Sequence, residues 1–104
     1  MHATIRRYEK VDAARTDEII GGVGETLIPE MRELEGFAGY YLIQGGKGIL
    51  SSLSLFETAE QADESTKLAA MWIADENFGK AIRKPPKITS GEVVVHSNRR
   101  ALIL

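Results

Sequence analysis

The chain predicts an α+β fold with the element order β-α-β-β-α-β, and three observations lead to it. Two stretches carry apolar residues at helical spacing, four shorter stretches read as strands, and a Gly-Gly-Lys-Gly link falls between the second and third strands. Residues 2–9 alternate polar and apolar around Thr4, Ile5 and Tyr8, which is a strand pattern. From residue 16 to 34, Ile19, Ile20, Val23, Leu27, Ile28, Met31 and Leu34 recur at threes and fours and draw one helical stripe. Thr16 or Asp17 suits its start and Gly36 its end. Gly21, Gly22, Gly24 and Pro29 lie inside that stretch. Each such glycine costs about 1 kcal/mol relative to alanine. A bend or loosened turn is therefore expected within residues 21–29, held in place by packing.

Residues 37–44 and 49–57 flank Gly45-Gly46-Lys47-Gly48, whose glycines can take the positive φ values of a hairpin link, so these two strands should pair antiparallel. Thr58 caps a second helix over residues 59–77, with Glu60 and Gln61 in its first turn and Ala62, Ser65, Ala69, Trp72 and Ile73 along one face. Pro85-Pro86 excludes helix and leads into a last strand, residues 88–96. The tail, residues 97–104, ends in Ala-Leu-Ile-Leu.

This order matches the ferredoxin-like βαββαβ arrangement, an antiparallel sheet with both helices on one face. The other face is then bare. Tyr40, Tyr41, Leu42 and Ile43, and likewise Val93, Val94 and Val95, are apolar at both strand parities, which calls for cover on both sides; a second copy of the chain, a homodimer, supplies it. The 104 residues carry a net charge of −2 and no cysteine. One domain spanning residues 1–104 is the expectation at this length. Without cysteine there is no disulfide, thiolate zinc site, iron–sulfur cluster or cysteine nucleophile. The charge balance argues against a nucleic-acid partner, and no apolar run has the length of a membrane span. The first residues lack the apolar stretch of a secretory signal, so a cytoplasmic location is expected.

Several residues could carry chemistry. Trp72, the one tryptophan, is either a core plug beneath the second helix or the wall of a ligand pocket. Arg6 and Arg7 are neighbours on a strand and face opposite sides: one could anchor an enolate, carboxylate or phenolate, or each could pair with Glu9, Glu92 or a partner's carboxylate. Tyr40 and Tyr41 are divided in the same way. His2 and His96 fall on neighbouring strand ends, where a histidine can serve as a base or stand exposed; two histidines without a third ligand do not make a metal site. Ser51, Ser52 and Ser54 form no nucleophile elbow, and the Gly-Gly-Lys-Gly link lacks the Ser or Thr and the helix of a phosphate loop.

The opening His-Ala-Thr-Ile-Arg-Arg-Tyr, the stretch Glu35-Gly36-Phe37-Ala38-Gly39-Tyr40-Tyr41, and Phe56 before a helix carrying Trp72 resemble the antibiotic biosynthesis monooxygenase domain family. The resemblance spans residues 2–96. It implies a dimeric α+β barrel in which two ferredoxin-like sheets close face to face. Its haem-degrading branch uses an asparagine at the end of strand one and a histidine soon after the tryptophan; here strand one offers Arg6, Arg7 and Tyr8, and residues 73–95 contain no histidine, so that activity is disfavoured. Its quinone-forming branch uses a pocket between helices and sheet with a tryptophan, a basic residue and an asparagine. Trp72 and Arg6 or Arg7 match, whereas Asn77 and Asn98 do not fall where that asparagine would. The resemblance thus implies a cofactor-independent monooxygenase for a small aromatic, phenolic or quinol-type substrate. The expected roles are Trp72 as slot wall, Tyr41 as donor, Arg6 as enolate anchor and His96 as base. The alternative is a non-catalytic barrel that binds a small hydrophobic ligand.

Overall fold

The computed structural model describes residues 1–97. Four strands, β1 (His2–Tyr8), β2 (Phe37–Gln44), β3 (Leu50–Phe56) and β4 (Lys87–Glu92), form one sheet in the order β2-β3-β1-β4 with every pairing antiparallel. The helices are α1 (Thr16–Gly22), α2 (Ile28–Arg32) and α3 (Ala59–Asp75). α3 packs on β3 and β1, and α2 on β2, all on one side of the sheet, so the ferredoxin-like α+β architecture is as expected.

The loosened turn expected within residues 21–29 is a π-helical segment, Val23–Leu27, which joins α1 to α2 without breaking the helical course. Pro29 has no N–H to donate, and it sits in the first turn of α2, where that donor is not missed. The start of this helical unit differs from expectation. The residue preceding α1 is Arg15, which makes no side-chain cap. Asp12 instead caps a short 3-10 turn, Ala13–Arg15, and the Thr16 hydroxyl donates to the Asp12 carbonyl at 3.1 Å.

α3 is capped as its sequence requires. The Gln61 N–H donates to Thr58 Oγ1 at 3.2 Å and the Thr58 N–H to Gln61 Oε1 at 3.1 Å. Gly36 has φ +79°, and the Gln61 side chain occupies the space a Cβ there would need, so this glycine is required twice over. The helix stops at Asp75, two residues short of the expected end, because Asn77 takes a left-handed φ of 62°. In the β2–β3 link only Gly48 has a positive φ, +75°, and its carbonyl accepts from the Val11 N–H at 2.9 Å.

β4 is shorter than the expected 88–96. Its one neighbour, β1, begins at His2 opposite Glu92, and the Val93 N–H donates to the Met1 carbonyl at 2.8 Å. Past that bond Val94 and Val95 are irregular and exposed. Residues 98–104, most of the apolar tail, lie outside the described residues. No described helix is long and apolar enough to cross a membrane.

Strand alternation divides the sheet sharply. Thr4, Arg6, Tyr8, Leu50, Ser52, Ser54 and Phe56 are buried beneath the helices. The opposite face carries Ile5, Leu53 and Tyr41 side by side in the ladder, with Ile43 beyond, and Ile5, Tyr41 and Ile43 are exposed.

Candidate functional site

The interior between helices and sheet is apolar at one end and rich in hydroxyls at the other, and a small cavity lies where the two meet. Arg6 and Tyr8 reach it from β1 and Tyr40 and Leu42 from β2; Ile19, Val23 and Leu27 close it from the first helical unit, and Ala69 and Trp72 from α3. Its free volume is about 30 Å³, room for one or two waters.

Arg6 is 1% exposed. Its guanidinium donates from Nη1 to Thr66 Oγ1 at 2.8 Å and from Nη2 to Ser54 Oγ at 3.2 Å, while Nε has no partner. Neither contact carries charge. A buried cation held only by neutral hydroxyls is an unusual arrangement, because burial strips its hydration and none of the described residues returns a counter-charge. Burial accordingly lowers the Arg6 pKa, opposed by its interaction with Tyr8 and Tyr40. Burial raises both phenols, and the Arg6 charge works against that rise in each. The Ser52 hydroxyl also draws the Tyr40 phenol down, although Ser52 Oγ makes no hydrogen bond of good geometry.

Trp72 turns out to be core and wall together. It is 5% exposed, and its ring rests on Phe78 with centroids 5.2 Å apart. Its Nε1 donates to Thr26 Oγ1 at 2.7 Å, in the π segment. Thr26 Oγ1 in turn stands 2.9 Å from the Gly22 carbonyl and 3.3 Å from Glu76 Oε1. A Cβ on Gly22 would lie 3.1 Å from Trp72 Cζ2, so the glycine lets the indole sit flush against the helix.

The expected site residues separate on the structure. Arg6 and Trp72 line the same cavity. Tyr41 does not: it is 58% exposed on the far face of the sheet, and Tyr40, its neighbour of opposite parity, takes the place foreseen for it. His96 is exposed in the irregular segment after β4 and does not line the cavity. His2 is engaged at the start of β1, its Nε2 2.9 Å from Ser90 Oγ, which is itself 3.1 Å from Thr4 Oγ1. Arg7, on the open face, pairs with Glu9 at 3.1 Å. Among the described residues no group of three or more His, Cys, Asp or Glu side chains could hold a metal ion.

Thr26 was not among the sequence candidates, and of Tyr40 and Tyr41, left open by the sequence, the structure selects Tyr40. Tyr40 shares the parity of Arg6 only through the ladder Arg6–Ser52–Leu42, a register no single strand reveals. Thr26 lies at the edge of the apolar stripe of the first helix, three residues after Val23, and that position was its one signal.

Comparison with solved structures identifies the fold. A protein of unknown function, NE2512 from Nitrosomonas europaea, is similar with a TM-score of 0.75 at 16% identity over 94% of this chain and 93% of its own. A Caulobacter crescentus protein provisionally named an antibiotic biosynthesis monooxygenase gives 0.72 at 15% identity over 90% of each chain. The monooxygenase from the gene ActVA-Orf6 of Streptomyces coelicolor, solved with nanaomycin D, gives 0.68 at 12% identity over 92% of each. By sequence, no family model and no curated protein matches the chain. The chain therefore has the fold of antibiotic biosynthesis monooxygenases, and at these identities its chemistry rests on its own residues.

Proposed function

We propose that the chain is a cofactor-independent monooxygenase for a small phenolic or quinol-type substrate, with the cavity beneath α3 holding the substrate's oxyanion. The observation that supports this reading is Arg6: a buried guanidinium without a counter-charge, facing an apolar space walled by Trp72, is suited to hold a substrate oxyanion. In the reaction an activated CH₂ of the ionised substrate reduces O₂. A carbon–oxygen bond forms as a peroxide, and the O–O bond then breaks with loss of water to leave a carbonyl. Tyr40 and Tyr8 are the donors at hand for the substrate oxygens.

Oxygen uptake with an anthrone or a quinol tests the reading. Turnover is expected to fall by about 10²-fold or more in Arg6→Ala, the scale of losing an electrostatic stabiliser. Trp72→Phe, which keeps an aromatic filler, should weaken substrate binding while the fold survives. His96→Ala is the companion variant, and unchanged turnover would remove His96 from the chemistry.

A second reading, a barrel that binds a small hydrophobic ligand without turning it over, has its own support. Among the described residues the cavity lining includes no carboxylate and no histidine to act as base. Binding without oxygen uptake across such substrates would establish it. Under either reading the open sheet face with Ile5, Leu53, Tyr41 and Ile43 is the seam of a homodimer. Light scattering at micromolar concentration should give twice the chain mass, and a monomer would end that part of the proposal.

A further inference from the structure

We propose that the cavity and the groove beside it form one site for a small amphipathic organic anion. Its charged oxygen lies against Arg6, and its apolar body passes between Val23 and Leu42 into the groove along β2. The inference rests on reading the cavity as a ligand site and names the ligand class, one that arrives already ionised.

The first support is the unmet electrostatics of Arg6. The side chain is 1% exposed, meets neutral hydroxyls at two nitrogens, and leaves Nε without a partner. An anion would supply both the missing counter-charge and the missing acceptor.

The second is the absence of a proton acceptor. Among the described residues three titratable groups line the cavity: Arg6 and Tyr8 from β1, and Tyr40 from β2. The side chains lining it from α1, the π segment, α3, β3 and the turn at Ile82 are apolar. Burial holds both phenols protonated well past neutrality, so they donate hydrogen bonds and do not take a proton from a bound acid. A neutral acid would have no residue here to ionise it.

The third is dimension. The cavity, at about 30 Å³, admits a head group and no ring system. The adjoining groove is about 370 Å³, lined by Ile20, Val23, Gly24, Ile28, Leu42 and Gln44. Val23 and Leu42 line both spaces and form the partition between them. Val23 opens the π segment, and wide turns of this kind interrupt the regular ladder of a helix. Parting these two side chains would join a cationic head site to an apolar channel, and a matching ligand has one anionic end and one planar apolar end.

Titration calorimetry on the full chain can test this with 2-hydroxy-1,4-naphthoquinone, an acid ionised at neutral pH, against its 2-methoxy ether, which has the same ring system and no ionisable proton. At pH 7 the acid should bind about 10- to 100-fold more tightly, the factor that one or two charge-assisted hydrogen bonds supply. Its affinity should fall as the pH is lowered through the ligand's own ionisation, and the ether's should not change. Arg6→Gln, which removes the charge and keeps a polar side chain, should erase the preference. Leu42→Trp, which fills the partition and leaves Arg6 in place, should weaken the acid. If Arg6→Gln does not fold, the acid–ether comparison and the pH series on the unaltered chain still decide. A panel member with a carboxylate, 2-naphthoate, separates a preference for carboxylates from one for enolates. Equal affinity for acid and ether, or no binding of any anion at millimolar concentration, would overturn the inference. Oxygen uptake is read independently: anion-selective binding without uptake removes the monooxygenase and keeps this inference, while uptake without anion preference does the reverse.

Discussion

α3 begins with a reciprocal pair of hydrogen bonds between Thr58 and Gln61 and runs for 17 residues, whereas the helical unit across the cavity begins at Arg15 without a side-chain cap, contains three glycines and a proline, and widens into a π turn. α3 is specified largely by its own sequence. The unit over residues 16–32 is held by what it packs against, through Ile19, Val23, Leu27 and Met31. The cavity thus has one wall fixed by local chemistry and one set by tertiary contacts. That asymmetry places any adaptability on the side of the π segment.

The comparison breaks most easily at Met31, which is 0% exposed and anchors α2 to the core. Met31→Ala should destabilise the chain by about 2–5 kcal/mol. Hydrogen exchange should show the loss first in residues 16–32, and equal loss of protection along α3 would contradict the division. Next in size is Gly22→Val. Its Cβ would press on Trp72 Cζ2 from 3.1 Å, so the added bulk should destabilise by about 1–3 kcal/mol and change the tryptophan emission. An unaltered emission spectrum would show that the indole does not depend on that contact.

Thr58→Ala removes the cap of the locally specified helix and should lower stability by about 1 kcal/mol in a denaturant titration. Gly24→Ala should act in the opposite direction. A Cβ at Gly24 meets nothing within 4 Å, so the substitution should stabilise by about 0.4–1 kcal/mol through the unfolded chain. A destabilisation there would mean that the π turn needs the glycine for its shape.

The smallest effect at neutral pH is that of the buried phenols, which become visible only in alkali. Burial raises Tyr40 and Tyr8 above their ordinary value of 10.0. The unfolded chain therefore releases these protons at a lower pH than the folded one. Stability attributable to them is complete below pH 10 and declines as the pH rises from there through the folded values. Tyr40→Phe should flatten that alkaline decline in proportion to the share Tyr40 carries, and an unchanged profile would remove Tyr40 from it.

Much of this molecule follows from near-neighbour chemistry and was therefore legible in sequence. Alternation placed β1, the stripe from Ile19 to Met31 marked a helix, and Thr58 announced its own cap; Gly36, expected to end the first helical unit, instead takes its positive φ in the turn into β2, because α2 already ends at Arg32. The glycines and Pro29 correctly forecast a loosened turn, because backbone freedom and a missing N–H act locally. The sequence offered Arg6 or Arg7 together with Trp72, and the structure brings Arg6 and Trp72 to one space. What lay beyond the sequence were matters of register and of where a partner strand ends. Tyr40 replaced Tyr41 because the face shared with Arg6 is set through two ladders, and a shift of one residue in either exchanges them. His96 fell outside the cavity because β4 ends where β1 begins, so its length is decided by a neighbour some ninety positions earlier in the chain. The buried charge of Arg6 belongs to the same class: a sequence displays an arginine, but only the folded chain shows that, among the described residues, its hydrogen bonds go to the neutral hydroxyls of Thr66 and Ser54.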